Sequence, residues 1–178
     1  MGRFTGQPPD YKMRTRRYMP ENSNGGDSVA AKPSDGQQCE NAPAEFEYFS
    51  HDADIGVVGR GPSPEAAMEA AARAMFAIMA DPDTVGDAIR VRFAFDEEDL
   101  DLALVTWLNR LLAETRVAGI VPSRFRLRRV DNHWEGQCAG SPLPAEAERG
   151  PEVKGATLTL AAVELGAGGW EARCVVDV

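Results

Sequence analysis

Two acidic residues stand beside apolar runs in places where a metal site could form. Asp54 closes the segment His51-Asp52-Ala53-Asp54 and leads directly into the apolar run that begins at Ile55. Asp177 interrupts the apolar end of the chain, one residue before Val178. A carboxylate on a mostly buried strand is costly unless it is paired or bound to a metal. A bound cation would therefore explain an acid at each of these positions.

Two interpretations of these acids stay open on the residues alone. Asp54, Asp177 and the terminal carboxylate of Val178 would together form a hard, oxygen-rich site, and such sites suit Ca²⁺, Mg²⁺ or Mn²⁺. In the simpler interpretation, Asp54 caps a turn and Asp177 pairs with a nearby Lys or Arg. For the His51–Asp54 segment taken by itself, the capping role is favoured.

Other chemistry has little support in the sequence. There is no G-x-S-x-G, Walker loop, G-x-G-x-x-G or H-E-x-x-H motif, and the two histidines are His51 and His133. These features argue against a structural Cys/His zinc site and against a stand-alone hydrolase with a positioned base. Glu152-Val153-Lys154 puts opposite charges at a strand start, for which a surface ion pair is the simpler interpretation.

Composition bounds the class of protein and its partners. The chain has 178 residues, 43% of them hydrophobic and 26% charged, as in ordinary soluble globular domains. The net charge of -9 predicts a poor direct partner for nucleic acid and a better one for cations or a basic protein surface. No membrane helix and no signal peptide are expected. Three cysteines outside any C-x-x-C pattern indicate reduced thiols and a cytoplasmic protein.

The composition changes near Glu45. Residues 1–44 are rich in Gly, Pro, Ser, Asn and Gln, and such a segment buries too little surface to offset its ordering entropy. We predict a disordered tail over 1–44 and one domain over 45–178. The tail holds six basic and five acidic residues, and the domain holds 13 basic and 23 acidic residues.

A small number of helices and strands in the domain must position Asp54 and Asp177. Helical spacing predicts one helix from an N-cap at Ser63 to about Ala80, and a second from Asp96 to Gly119. Alternating or apolar runs predict strands at 46–49, 55–58, 88–95, 125–130, 134–139, 153–165 and 170–178. Strands grouped after the helices predict an α+β fold, with two helices packed on a mostly antiparallel β-sheet.

Five segments, in order, resemble the archease family. Tyr48 to Gly56 is similar to the family's Y-x-x-H-T-A-D-I-G, and Glu65 to Met79 is similar to its first helix. The remaining matches are Asp99 to Leu112 with its second helix, Glu152 to Thr157 with E-V-K-A-x-T, and Val176-Asp177-Val178 with the closing V-D-I/V. The resemblance covers roughly residues 45–178 and leaves out the tail.

The resemblance implies an accessory protein and not an enzyme. Archeases assist the RtcB-type RNA ligase, which uses GTP and Mn²⁺ in tRNA splicing and RNA repair, by promoting its guanylylation and multiple turnover. The implied metal ligands are Asp54, Asp177 and Val178, for Ca²⁺ or Mn²⁺/Mg²⁺. RNA is then reached indirectly, through the ligase. The alternative is a chaperone-like adaptor of another RNA-modifying enzyme, such as a methyltransferase.

The resemblance also implies a functional surface, with departures from the family pattern. Glu152 carries over from E-V-K, and we add His51, Lys154 and Arg149 to this surface. Arg149 is the basic residue available before E-V-K, where the family has Lys or His. Asp52 replaces the Thr of H-T-A-D, and Thr157-Leu158-Thr159 lacks the aromatic and histidine of the family's T-Y-H.

Overall fold

The computed structural model describes residues 45–178, so the predicted tail, with Cys39, lies outside the described residues. The described part contains two α-helices, eight strands and a short 3-10 helix at Pro82–Thr84. In chain order the elements are β1 (Glu45–His51), β2 (Asp54–Gly61), α1 (Pro64–Met79), β3 (Ile89–Asp96), α2 (Leu100–Ala118), β4 (Val121–Val130), β5 (His133–Ser141), β6 (Gly155–Ala156), β7 (Ala162–Gly166) and β8 (Gly169–Asp177).

The strands form two sheets, and every pairing is antiparallel. The main sheet has the order β1-β2-β8-β6, and β7 pairs with β8 on the same side as β6. The second sheet has the order β3-β5-β4. The α+β prediction with two helices on antiparallel strands is confirmed, and the division into two sheets adds to it.

Helix α1 begins and ends where the sequence predicts. The Ser63 hydroxyl caps it by accepting a hydrogen bond from the amide of Ala66, and Pro64 occupies the first turn, where its missing N–H is harmless. A run of small residues lets the helix lie against β2. Gly59 faces this contact, since a Cβ there would lie 2.2 Å from the main-chain oxygen of Ala67.

Helix α2 begins four residues later than predicted. Asp96 is the last residue of β3, and the acids that follow it are outside the helix. Asp99 is the N-cap, and its carboxylate accepts hydrogen bonds from the amides of Asp101 and Leu102. Acidic residues are favoured both as N-caps and in the first turn of a helix, because both positions lie beside the free N–H groups at its start. The run of acids therefore did not show which of them begins the helix, and the start was predicted too early. The end at Gly119 is confirmed by its φ of 66°.

The core lies between the sheets and the helices. Trp107 of α2 is fully buried, stacks near Phe93 of the second sheet, and donates from its indole nitrogen to the main-chain oxygen of Met68 in α1. Leucines on the same face of α2 are also fully buried. Burial raises the pKa of the Cys138 thiol to about 11 and that of Cys174 to about 12, so both stay protonated at neutral pH, as expected for core thiols.

The long strand predicted over 153–165 is wrong. The structure divides it into the two-residue β6 and the five-residue β7, separated by a turn in which Leu160 adopts a φ of 54°. A left-handed residue breaks a strand, and the apolar composition of this segment does not reveal it. No helix within residues 45–178 is both long enough and apolar enough to cross a bilayer.

We predict that Gly59→Ala destabilises the fold by about 3 kcal/mol, because the new Cβ would overlap main-chain atoms of α1 that cannot move independently. Gly168→Ala is the matched control, since a Cβ there meets nothing within 4 Å. Urea denaturation of both variants measures the effect. Equal unfolding free energies for the two variants would contradict the close contact between β2 and α1.

Candidate functional site

The two candidate acids lie on neighbouring strands. Ile55 of β2 pairs with Val176 of β8, so the next residues in this register, Asp54 and Asp177, stand opposite each other at one edge of the main sheet. Directly opposed residues of an antiparallel pair point to the same face. This face is opposite to α1, because Gly59, an odd number of residues from Asp54 along β2, faces the helix. The fold therefore brings both carboxylates to one edge.

The two opposed carboxylates are close enough to repel each other, so a nearby positive charge would stabilise them. Cβ atoms of directly opposed residues are about 5 Å apart, and like charges at such positions repel. A cationic group is already present nearby. The Lys154 ammonium lies 2.9 Å from the main-chain oxygen of Val178 and 3.7 Å from the Asp177 carboxylate. Asp177 thus has the basic neighbour that the simpler interpretation required.

The segment that carries Lys154 is attached to the same edge through its main chain. The amide of Lys154 donates to the main-chain oxygen of Asp177 at 2.8 Å, and Gly155 continues the pairing as the first residue of β6. Lys154 and Asp177 are therefore adjacent through the backbone and not through a flexible contact alone. The E-V-K segment and the end of β8 form one local unit.

Helix α2 holds this unit in place through side chains. The Asn109 amide donates to the main-chain oxygen of Ala156 and accepts from its N–H, both at 2.9 Å. Arg116 donates to the main-chain oxygen of Val153 at 2.7 Å. Neither positioning residue was among the predicted functional residues. A signal existed, because Asn109 is an amide beside the apolar stripe of a helix.

Glu152 is presented to solvent. Its side chain is 77% exposed, and it pairs with Arg116 at 3.2 Å. An exposed pair of this kind adds little stability, about 0–1 kcal/mol, so fold stability alone does not require it. Arg149 is also exposed, and its side chain makes no hydrogen bond or ion pair within residues 45–178. The adjacent Gly150 is bound to the main-chain oxygen of Met79 at the end of α1.

His51 lies on the other side of Asp54. It pairs with Asp54 in the β1–β2 register, so His51, Asp54 and Asp177 follow one another across three strands. The Nδ1 atom of His51 is buried and has no hydrogen-bond partner in the described residues. A buried polar atom without a partner is costly, so a water or ligand partner there would be stabilising. Asp52 is exposed at the tip of the turn, with a φ of 50°.

The oxygen atoms at this edge suit a hard cation. The available donors are the carboxylates of Asp54 and Asp177 and the main-chain oxygen of Val178, and Ca²⁺ accepts sets of oxygen ligands of this kind. The position of the Lys154 ammonium shows that these oxygens attract positive charge. Within residues 45–178, no three His, Cys, Asp or Glu side chains are grouped closely enough to hold a metal ion. A metal here would depend on main-chain oxygen and water for its other ligands.

Comparison with protein families gives one match that covers most of the chain. Residues 46–178 match the model described as the Archease protein family (MTH1598/TM1083). The matched range begins one residue after the first described residue. It includes the acids at the sheet edge and the segment from Glu152 to Ala156.

Curated relatives share both the sequence and the extent of this region. Protein archease of Methanosarcina barkeri is 35% identical over 148 residues, covering 75% of this chain and 96% of that protein. Protein archease of Sulfolobus acidocaldarius is 30% identical over 136 residues, covering 75% of this chain and 98% of that protein. The solution structure of Methanobacterium thermoautotrophicum protein 1598 superposes with a TM-score of 0.64 at 29% identity, over 75% of this chain and 98% of that one.

We predict that Asn109→Ala lowers the unfolding free energy by about 2 kcal/mol, because both main-chain groups of the buried Ala156 lose their partner. Hydrogen exchange of the Ala156 amide should also accelerate. Asn132→Ala, in the exposed turn between β4 and β5, serves as the control and should leave this amide unchanged. Slow exchange at Ala156 in the Asn109 variant would show that α2 does not hold β6.

Proposed function

The chain belongs to the archease protein family, and from that premise we propose that it promotes guanylylation and multiple turnover of an RtcB-type RNA ligase. Family membership supports an accessory role for the protein in place of independent catalysis. In this proposal the ligase binds GTP and RNA, and this chain acts on the ligase. The pathway served is tRNA splicing or RNA repair.

One observation carries the proposal. Asp54 and Asp177 are opposed at the edge of the main sheet, with the main-chain oxygen of Val178 and a lysine ammonium beside them. The side chain of Asp177 is 51% exposed, so this edge is accessible to a partner protein. Neither the core nor the helices need acids at these positions. Their placement supports a role in binding a cation at a surface that the ligase can reach.

We assign the metal-binding role to Asp54, Asp177 and Val178, with Ca²⁺, Mn²⁺ or Mg²⁺ as the ion. A bound ion would neutralise the opposed carboxylates and offer positive charge to a phosphate or carboxylate of the partner. Lys154 holds the end of β8 through its main-chain amide, and its ammonium competes for the same oxygens. The chain thereby keeps the acids together in the absence of a metal.

The surface around the metal ligands would contact the ligase. Glu152 and Lys154 are exposed on a segment that α2 fixes through Asn109 and Arg116. A fixed segment loses little conformational entropy on binding. We include His51 and Arg149 in this surface. The unpaired Arg149 guanidinium retains hydrogen-bonding capacity that a partner could use, and the buried Nδ1 atom of His51 lacks a partner within residues 45–178.

We predict that the wild-type chain raises the number of RNA joining events per ligase molecule above one, and that Asp54→Asn and Asp177→Asn abolish this effect. Both substitutions keep the side-chain size and remove the charge that holds a cation. Labelled GTP on the ligase and quantified RNA product give the readout. Asp131→Asn, at the exposed turn between β4 and β5, is the matched control. Full stimulation by both site variants would contradict the proposal, and stimulation of a methyltransferase in place of the ligase would favour the adaptor role.

We predict that calorimetric titration shows Ca²⁺ or Mn²⁺ binding that Asp54→Asn and Asp177→Asn each weaken at least tenfold. Lys154→Met should tighten the same binding, because it removes an ammonium located 2.9 Å from a candidate ligand oxygen. The opposite changes in the two kinds of variant separate cation binding from a general loss of structure. Equal affinities in all variants would show that the site is misassigned, and weaker binding in Lys154→Met would show that lysine shapes the site.

A further inference from the structure

The second sheet carries five arginines on one face. In the β3–β5–β4 register, arginines on β3 and β4 flank the residues of β5 that lie between them. Arg90 and Arg124 both pair with Ala139, Arg92 and Arg126 both pair with Gln137, and Arg128 pairs with Glu135. Paired residues point to the same face of a sheet. We call the face formed by Arg90, Arg92, Arg124, Arg126 and Arg128 the arginine face.

The arginine face is the outer face of the second sheet. The alternate residues of the same strands point inward, where Phe93 contacts Trp107 and Phe125 stacks on Phe76. All five arginines are exposed, and the side chains of Arg124 and Arg126 are 65% and 76% exposed. Ala139, which lies between Arg90 and Arg124, is buried. The exposed arginines themselves are accessible to a partner.

The charge on this face is the opposite of that of the domain. Five of the 13 basic residues of the domain are on the face. Glu135 lies between Arg128 and Ala94 on the same face, and Asp96 follows at one end of it beside His133. At the rim, Arg124 pairs with Asp87 at 2.7 Å and Arg126 pairs with Glu69 at 3.2 Å. Arg90 and Arg128 have no ion pair within residues 45–178. The face retains positive charge after these pairs are subtracted.

From this arrangement we propose that the arginine face binds the phosphate backbone of a single nucleic-acid strand. Alternate residues along a strand are about 6.8 Å apart, so the backbone positions of Arg124, Arg126 and Arg128 form a regular row along β4. A second row on β3 lies about 10 Å away, two strand spacings across the sheet. Regular rows of guanidinium groups match a polymer that carries one negative charge per repeat unit, and guanidinium binds phosphate in a bidentate manner.

The floor between the rows favours a phosphate backbone over a protein partner. Stable protein interfaces have a core of aromatic or other large apolar side chains from which charges are depleted. Here the residues between the arginines are Ala139, Gln137 and Glu135, with Ala94 at the edge. No aromatic side chain on this face offers a base-stacking platform. The face therefore has the composition of a surface that binds charge without reading sequence.

The acidic charge of the whole domain does not prevent this binding. At physiological ionic strength the Debye length is about 8 Å, so acids beyond that distance are largely screened. The opposed acids at the edge of the main sheet belong to the other sheet, with the core between the two. The potential close to this face is therefore set by its five arginines together with the four nearby acids, Glu135, Asp96, Asp87 and Glu69, which leaves a net charge of +1. The proposal departs from the sequence-based expectation that this acidic domain is a poor direct partner for nucleic acid.

The experiment is a fluorescence-anisotropy titration of a short, labelled single-stranded RNA of mixed sequence with the protein alone. Binding should weaken as salt rises from about 50 to about 200 mM, since bound phosphates release counterions. The double variant Arg90→Gln, Arg128→Gln should bind several-fold more weakly, and its salt slope should fall by about 0.7 for each phosphate that the variant no longer neutralises. Neither arginine forms an ion pair within residues 45–178, so the fold should persist, as unfolding curves would verify.

Arg110→Gln is the matched control, because Arg110 is an exposed arginine on α2 that lies over Phe93 on the inner side of the sheet. It should bind the RNA as the wild type does. Absence of binding at low salt, equally weakened binding in the control, or an unchanged salt slope in the double variant would each overturn the proposal. Competition by poly-glutamate as effective as that by unlabelled RNA would overturn the choice of a phosphate backbone. No ligase is present, so the outcome is separate from that of the ligase assays.

Discussion

The register between β2 and β8 is the constraint on which the structure depends. It buries Val57 and Cys174 opposite each other beneath α1, and the same register leaves Asp54 and Asp177 opposed at the free end. A shift of one residue would turn an acid toward the helix and an apolar side chain toward solvent. The apolar core therefore fixes a charge arrangement that is unfavourable by itself. Burial of many side chains at about 25 cal/mol per Å² easily exceeds the repulsion of one exposed pair.

The two helices hold the strands and the neighbouring segments in fixed positions, and so define the surface around the opposed acids. α1 covers the inner side of the β2–β8 pair through a contact that only glycine at position 59 allows. α2 lies on β3, β6 and β7 and spans the two sheets. Its polar residues, Asn109 and Arg116, hold the segment from Glu152 to Ala156 by its main chain. That segment has a two-residue strand, and its order depends on these hydrogen bonds together with the burial of Val153 and Ala156.

The sequence predicts the regular elements well and the irregular ones poorly. Ser63-Pro64 and Gly119 marked helix ends correctly, because caps are local chemistry. The segment from 153 to 165 was predicted as one strand, because its apolar residues do not reveal the left-handed conformation at Leu160. Asp54 and Asp177 were named as candidates from residue type, yet their opposition depends on a pairing across more than 100 residues that periodicity does not encode. The role of Asn109 was missed for the same reason, since its partner is main chain from a distant segment.

Net charge was the least informative sequence property, because it does not show how the charged residues are distributed between the two sheets. The domain's excess of acids predicts repulsion of phosphate, yet alternation along β3 and β4 sorts five arginines onto one face. Alternation is a rule about side-chain direction, and it separates charges in space that are mixed in sequence. In the two proposals, the opposed acids at the end of β8 bind a cation and the arginine face binds a polyanion. With the core between them, each surface acts over roughly a Debye length and so keeps its own sign. A domain with an acidic average can therefore present separate surfaces for a cation and for a polyanion.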